Sequence, residues 1–256
     1  MSVEINGAKI FFTIPVLGGI PITETMVNAW LVMAIITGLC IWLTHGMTVR
    51  GTGKRQVVAE LLVNTAQNFV DTNMGRKFSH YAPFVAALFS MSLLSSLLSL
   101  VGLYPPTSDL STELAWAVVV FIMITATKIR TGGVGGYLKG FTEPIFVLTP
   151  FNILSELATP ISMAFRHFGN IVSGSVISTL VYAALAVANK ALFGWLPGFL
   201  GWLLGNIPFL QVGVPAILSV YFDLFSSAMQ AFIFCMLTML YIANAADDGS
   251  EEAAAA

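Results

Sequence analysis

The chain contains long stretches without a single charged residue. One of them lies between Glu24 and Arg50 and is rich in Leu, Ile, Val and Trp. A soluble domain carries charged residues at about 25% of its positions, whereas this chain has 9% charged and 57% hydrophobic residues. Since about 20 apolar residues in a helix cross a bilayer, the pattern predicts an integral membrane protein.

Charged and turn-forming residues divide the chain into five such stretches, which predicts an all-α polytopic fold. The predicted spans are 25–47, 81–103, 112–130, 150–188 and 208–246. The last two are too long to cross a bilayer perpendicularly, so we expect them to be strongly tilted. Residues 1–24 are expected to form an outer N-terminal segment, 25–246 a single membrane domain, and 247–256 a disordered cytoplasmic tail.

Two further segments have the pattern of interfacial amphipathic helices. Residues 56–74 place apolar side chains at helical spacing against polar ones, as in a helix that lies on a membrane surface or a partner. Residues 137–148 form a second interfacial stretch, after the glycine-rich segment 132–136, which is expected to be a flexible connector.

Most Lys and Arg residues lie in loops that the span pattern places on one side of the membrane. Positive charge concentrates on the cytoplasmic side of membrane proteins, so we expect the N-terminus outside and the C-terminus in the cytoplasm. The two groups are Arg50, Lys54, Arg55, Arg76 and Lys77 between the first two spans, and Lys128, Arg130 and Lys139 between the third and fourth.

Composition and motifs argue against several other classes of protein. The net charge of −2 gives no basic surface for nucleic acid. The three His residues are scattered and the two Cys residues are far apart, so neither a metal site nor a disulfide framework is predicted. The glycine-rich segments lack the pattern of a phosphate loop. We expect no cofactor.

Arg166 lies inside the fourth span, and it is the most informative residue of the chain. An arginine at membrane depth costs from about 3 to more than 10 kcal/mol, and it does not lose its proton. Its charge must therefore meet a partner. One possibility is a structural ion pair with Asp223 in the fifth span; the others are an acidic group of another chain or a transported ligand.

A polar stripe runs along the fourth span on the side of Arg166. At about 100° per residue, its members lie within about 40° of Arg166 around the helix axis; they are Asn152, Ser155, Thr159, Ser162, Asn170 and Ser173. Such a stripe must face protein or water rather than lipid. Asp223 and Gln230 share a face of the fifth span, whereas Ser175 points away from the stripe. Two hydrophilic compartments separated by a fixed positive charge indicate an ion pathway with a barrier.

Asp109 and Glu113 follow a Pro-Pro turn on the expected outer side. They fit a helix N-cap with an acid in the first turn. The alternative is an acidic mouth that attracts cations to the outer pathway.

The segment around Arg166 resembles subunit a of bacterial F-type ATP synthases. That family has Pro, Ser and an apolar stretch before Arg-Leu-Phe-Gly-Asn, and the matching residues here are Pro160, Ser162, Arg166, Phe168, Gly169 and Asn170. Further matches are Pro105-Pro106-Thr107-Ser108-Asp109-Leu110, Glu156, and Gln230-Ala231-Phe232-Ile233-Phe234. The resemblance covers nearly the whole chain in order and spacing.

The resemblance implies an ion-translocating stator subunit that is not an enzyme by itself. Arg166 would face the ring of c subunits beside Gln230, and the last two spans would form a tilted hairpin against that ring. Implied for the outer half-channel are Asn170, Ser175 and Asp223, and for the cytoplasmic one Asn152, Ser155, Glu156 and Ser162. The implied partners are the c-subunit ring, the b-subunit peripheral stalk, other ATP synthase subunits and the lipid bilayer, in a bacterial cell membrane.

The sequence departs from the family pattern at three informative positions. His167 occupies the place of the usual Leu, and Ser175 and Asp223 stand where many members have a Glu and a His. Asp223 would therefore act alone in proton exchange, and the sequence does not choose between H⁺ and Na⁺. The alternative function is an autonomous secondary transporter in which Arg166 binds an anionic substrate; such folds usually contain internal repeats, and none is found here.

Overall fold

The computed structural model describes residues 8–15, 19–48, 53–143, 145–193, 217–218 and 220–255. Parts of several expectations lie outside these residues. They are the first seven residues of the N-terminal segment, Arg50, and the beginning of the predicted fifth span at 208–216.

The described chain is mostly helical. The helices are α1 (Glu24–Thr44), α2 (Lys54–Met74), α3 (Ala82–Leu97), α4 (Leu110–Gly140), α5 (Thr149–Phe193) and α6 (Ser227–Ala255). Short 3₁₀ turns cover Arg76–Tyr81, Leu98–Val101, Pro106–Ser108 and Phe146–Leu148, and a π-helical segment, Val220–Ser226, precedes α6. An antiparallel hairpin of β1 (Ile10–Ile14) and β2 (Ile20–Thr23) comes before α1.

Five stretches of the described residues are long and apolar enough to cross a membrane. They are Glu24–Thr44, Arg76–Val101, Leu110–Gly140, Phe146–Leu192 and Val220–Ala246. This confirms the all-α polytopic fold, and α2 confirms the amphipathic helix expected at 56–74.

The core lies where α3, α4 and α6 meet. Its fully buried members include Val120 of α4 and Phe234, Met239 and Ile242 of α6. Among the described elements, α5 packs chiefly against α4, and also against α6, the π-helical segment and the turn Pro106–Ser108. Few residues of α5 are buried, whereas many residues of α6 are. Most of the α5 surface is therefore left uncovered by the described chain.

Two hydrogen bonds fasten the beginning of α1 to the segment between α3 and α4. Asn28 Nδ2 donates to the carbonyl of Tyr104 at 2.8 Å, and Thr25 Oγ1 donates to Asp109 Oδ2 at 2.9 Å. The side chains of Thr25 and Asn28 are both buried. This fixes the geometry at one end of the helix bundle.

Three local features differ from the expectations. The N-terminal segment contains the β1–β2 hairpin, which the sequence pattern did not indicate. The glycine-rich connector is part of α4, interrupted by a kink at Gly133 with φ 73°, a conformation that glycine adopts without steric penalty. The segment expected to be a disordered tail continues α6 to Ala255, since Ala and Glu are strong helix formers.

Candidate functional site

Arg166 is an exposed side chain on a helix that is otherwise partly buried. Its neighbours Met163, Ala164 and His167 are buried against the rest of the chain, whereas Arg166 points away from it. Arg166 makes no ion pair or hydrogen bond with any residue that the structure describes. The internal pair with Asp223, one of the possibilities left by the sequence, is not formed.

The polar stripe lies on this uncovered side of α5. Ser155, Ser162 and Ser173 are exposed, and Asn152, Thr159 and Asn170 are half-buried. Large apolar side chains flank the stripe and are also exposed, among them Leu157, Ile161 and Phe165. A surface that combines a cation, hydroxyl groups and large apolar side chains is suited to protein or lipid contact rather than to bulk water.

Asn170 and Gln230 connect α5 to α6 one turn beyond Arg166. Asn170 Nδ2 donates to Gln230 Oε1 at 3.3 Å, and Gln230 is 4% exposed. The structure thus brings together two residues that the sequence predicted separately for the pathway.

A cavity of about 490 Å³ lies beyond Asn170, and we call it the Asp223 cavity. Ser175 and Asp223 both line it, as do Ser96, Tyr104, Thr179 and Ser227. Lys9 and Glu24 lie at the same cavity, so it reaches the end of the bundle that holds the β1–β2 hairpin. Ser175 and Asp223, both implied for the outer half-channel, thus line one cavity. Ser175 Oγ donates to the carbonyl of Val172 at 2.8 Å.

Tyr104 stands at this cavity in the segment between α3 and α4, outside the membrane-spanning stretches. Burial raises the pKa of its phenol above the ordinary value of 10.0, and the negative charges of Asp109 and Glu24 raise it further. The phenol is therefore a neutral hydrogen-bonding group near physiological pH.

A second cavity, of about 190 Å³, lies on the other side of Arg166 along α5, and we call it the Glu156 cavity. Lys128 Nζ donates to both carboxylate oxygens of Glu156, at 3.0 and 3.3 Å. These side chains are 26% and 17% exposed, so the pair is partly shielded from solvent. Tyr241 and Asn244 of α6 line the same cavity.

Three other residues were predicted for this side. Ser162 is exposed on the polar stripe and does not line the Glu156 cavity, and Asn152 and Ser155 also lie elsewhere. Asn152 Nδ2 donates to the carbonyls of Phe141 and Glu143, at 2.9 and 3.0 Å, which ties the first turn of α5 to the segment after α4. Ser155 is exposed, and its carbonyl accepts from Thr159 Oγ1 at 3.1 Å. Neither residue lines the Glu156 cavity.

Asp109 and Glu113 occupy different environments although they are one helical turn apart. Asp109 Oδ1 accepts from the backbone N–H of Ser111 at 2.9 Å, so Asp109 is the N-cap of α4. Glu113 is fully buried, and its Oε2 lies 3.0 Å from Nδ1 of His167. Glu113 therefore faces the protein interior rather than an exposed mouth.

His167, Ser92 and Lys128 are site residues that the sequence reasoning did not assign. The sequence does contain a pattern that indicates a buried position for Glu113. One face of the helix carries Glu113, Ala117, Val120, Ile124 and Thr127, and all five are buried. The partners of Glu113 and Lys128 lie 54 and 28 positions away, and helical spacing does not relate residues on different helices.

The described residues form no group of three or more His, Cys, Asp or Glu side chains that could hold a metal ion. What the site offers is two separate polar cavities, lined by different described residues, with an arginine between them on an uncovered face. At 1.5 Å per residue, Ser175 and Glu156 are about 14 and 15 Å from Arg166 along α5.

The chain is similar to known proteins over most of its length. The family described as ATP synthase A chain matches residues 26–243. ATP synthase subunit a of Moorella thermoacetica is 31% identical over 229 residues, which cover 89% of this chain and 93% of that protein. A subunit a of Chlorobaculum parvum is 32% identical, with 89% and 90% covered. A sodium-ion-specific ATP synthase subunit a of Propionigenium modestum is 28% identical, with 90% and 76% covered. The chain therefore belongs to the ATP synthase A chain family.

Proposed function

We propose that the chain is the ion-translocating stator subunit of an F-type ATP synthase, with the Asp223 cavity and the Glu156 cavity as two half-channels. The observation that carries the proposal is the position of Arg166. It stands between two cavities lined by different described residues, on a face that the described chain leaves uncovered, and no described residue forms an ion pair with it.

Arg166 is the barrier and the electrostatic guide of the proposed mechanism. A carboxylate of the c-subunit ring is favoured as an anion while it lies opposite the guanidinium, and a bare carboxylate in lipid is prohibitive in energy. An ion that arrives through one half-channel neutralises the carboxylate, which lets that ring subunit rotate into the bilayer. The fixed charge of Arg166 bars direct passage between the half-channels.

The Asp223 cavity is the proposed outer half-channel. Asp223 supplies a carboxylate that can take up and release an ion, and Ser175 provides a hydroxyl on the facing helix. The Asn170–Gln230 contact closes the end of the path nearest to Arg166. Asp109 is placed at the outer side as the N-cap of α4, and Glu113 lies one turn deeper.

The Glu156 cavity is the proposed cytoplasmic half-channel. Glu156 holds the negative charge, and Lys128 regulates it through a partly shielded ion pair. Ser155 and Ser162 lie on the exposed polar stripe, so they face the ring in this proposal, while Asn152 fixes the start of α5.

The proposed orientation follows from the positive-inside rule. The N-terminal hairpin and the Asp223 cavity are placed outside, and the C-terminus in the cytoplasm of a bacterial cell membrane. α5 has 45 residues, about 68 Å of helix against about 30 Å of hydrocarbon, which supports a tilted hairpin along the c-subunit ring. The b-subunit stalk and lipid cover other sides. In this proposal the chain catalyses no covalent step. A membrane potential of 100 mV supplies about 2.3 kcal/mol for each charge that crosses the membrane.

The test is ATP-driven ion transport in inverted vesicles from a host whose own subunit a is deleted. Arg166→Ala is expected to abolish acidification, while Lys190→Ala, which removes an exposed cation from the same helix, leaves it unchanged at equal protein abundance. Running each arm with and without Na⁺ distinguishes the transported ion. Normal transport by Arg166→Ala would overturn the proposal and favour a structural role for the arginine.

A further inference from the structure

A buried acid–base pair lies directly behind Arg166. Glu113 of α4 and His167 of α5 are both 0% exposed, and Glu113 Oε2 lies 3.0 Å from His167 Nδ1. Oε1 and Oε2 of Glu113 and Nδ1 of His167 make no hydrogen bond with a described residue, so the close approach of Oε2 to Nδ1 is a charge contact. Each group therefore depends on the other for neutralisation.

Three helices hold the imidazole of His167 in place. Ser92 Oγ of α3 lies 3.3 Å from Nε2, on the opposite edge of the imidazole from Glu113. The aromatic rings of Trp116 and Phe234 flank it, with centroids at 6.5 and 5.7 Å. His167 thus contacts α3, α4 and α6, and it fixes the side of α5 that faces the bundle.

Charge balance restricts the pair to one shared proton. As a carboxylate and an imidazolium, the two side chains are neutral in sum. Without the shared proton, a bare carboxylate is buried; with a second proton, an unpaired imidazolium is buried next to Arg166. Both alternatives leave an uncompensated charge in a low-dielectric interior, which is strongly unfavourable.

The Glu113–His167 pair matters for Arg166 because His167 directly follows Arg166 on α5. A helix turns about 100° per residue, so His167 points to the interior while Arg166 points outward. An unpaired Glu113 carboxylate on the interior side would be an attractive counter-ion for the long and flexible Arg166 side chain. His167 pairs with that carboxylate and so removes it as a counter-ion for Arg166.

We propose that Glu113 and His167 are positioning residues for Arg166: His167 neutralises Glu113, and the pair thereby denies Arg166 an inward counter-ion and keeps its charge on the outer face of α5. This inference rests on the proposed function, since it concerns the availability of Arg166 to an acidic group of another chain. It also assigns a role to His167, which stands where the resembled family usually has Leu.

The proposal predicts an unusual order of effects among three variants. His167→Leu leaves Glu113 without its partner and is expected to lower ATP-driven transport by about tenfold or more, because a buried carboxylate then competes for Arg166. Glu113→Gln removes the buried carboxylate and is expected to transport faster than His167→Leu. The double variant Glu113→Gln/His167→Leu contains no buried charge and is expected to recover transport to within about threefold of the unmodified chain.

The experiment measures ATP-driven ion transport of these variants in inverted vesicles at equal abundance of the protein in the membrane. Met163→Leu, at another buried position of α5, is the control for packing alone and is expected to be near neutral. Recovery in the double variant supports the proposal. A double variant as impaired as His167→Leu, or more so, would show a packing role and overturn it.

An Arg166→Ala variant measured in parallel distinguishes failure of the positioning role from failure of the proposed function. If Arg166→Ala is inactive and His167→Leu transports normally, the proposed function stands and the positioning role is wrong. If Arg166→Ala transports normally, the proposed function itself fails. Loss of the protein from the membrane in the single variants, without return in the double variant, also contradicts the proposal, since it means that the pair only holds the fold together.

Discussion

Gly174 lies where α5 packs against the π-helical segment that carries Asp223. A Cβ atom added to Gly174 would lie 3.1 Å from Cδ1 of Phe222 and 3.5 Å from its Cβ and Cγ. Phe222 precedes Asp223 directly, so its displacement also moves the carboxylate. We therefore predict that Gly174→Ala disturbs the Asp223 cavity although it adds only one methyl group.

The size of the effect follows from two opposing terms. Ordinary contact begins at 3.4 Å, so Phe222 must move by a few tenths of an ångström, and overpacking of this kind costs about 1–3 kcal/mol. Replacing glycine by alanine inside a helix raises the free energy of unfolding by about 1 kcal/mol. At Gly38 in α1, nothing lies within 4 Å of an added Cβ atom. Gly38→Ala therefore has the gain in helix propensity without the cost of overpacking. The difference between the two variants is thus about 1–3 kcal/mol.

The assay compares the free energy of unfolding of both variants in mixed detergent micelles, together with ATP-driven transport in vesicles. Gly174→Ala is expected to be the less stable variant by the amount above and to transport more slowly than Gly38→Ala. Equal stability and equal transport in the two variants would refute the close packing of α5 against Phe222.

Three further predictions concern Glu156, Asp109 and Tyr104. Glu156→Gln leaves Lys128 unpaired in a partly shielded position and should slow ATP-driven transport, whereas Glu143→Gln, which breaks an ion pair whose two side chains are 56% and 53% exposed, should not; similar rates in both would contradict this. Asp109→Ala removes the N-cap of α4 and should lower the free energy of unfolding by about 1 kcal/mol, and Asp109→Asn by less; unfolding titrations that show equal losses would refute the cap. The pKa of Tyr104 is raised in the folded state above 10.0, so its contribution to stability is complete below pH 10.0 and is lost as the pH rises through the folded-state pKa. The free energy of unfolding, measured against pH, should not show this loss in Tyr104→Phe. Identical pH curves for the two proteins would contradict the prediction.

The fold class could be predicted from sequence because the bilayer imposes a simple rule on composition. Uncharged apolar stretches of sufficient length must be helices that satisfy their own backbone hydrogen bonds. The β1–β2 hairpin escaped this reasoning because its strands, Ile10–Ile14 and Ile20–Thr23, are too short for a periodic signal. The helical course of residues 132–140 escaped it because glycine lowers helix propensity without forbidding a helix.

The candidate site was predictable where a single helix determines it. Helical spacing around Arg166 predicted one polar side of α5, and of its six other members Ser155, Ser162 and Ser173 are exposed while the rest are half-buried. The pairing of Lys128 with Glu156 and of Glu113 with His167 depends on how α5 packs against α4. Such contacts follow from tertiary packing, which local periodicity does not encode.

Asp109 and Glu113 illustrate this limit at close range. Their closeness in sequence suggested one acidic mouth, but α4 begins between them, at Leu110. Asp109 remains at the helix end, whereas Glu113 is carried one turn inward onto the buried face that continues through Ala117 and Val120. One helical turn thus separates a capping residue from a buried titratable group.

The most direct measurement of the central claim compares driven and passive ion flow in the same Arg166→Ala vesicles. If Arg166 is the barrier between two half-channels, its removal abolishes ATP-driven transport but leaves a passive ion flux under an imposed membrane potential, because both cavities persist without the fixed charge between them. Driven transport that survives in Arg166→Ala, or passive flux that disappears together with it at normal protein abundance, would contradict the account.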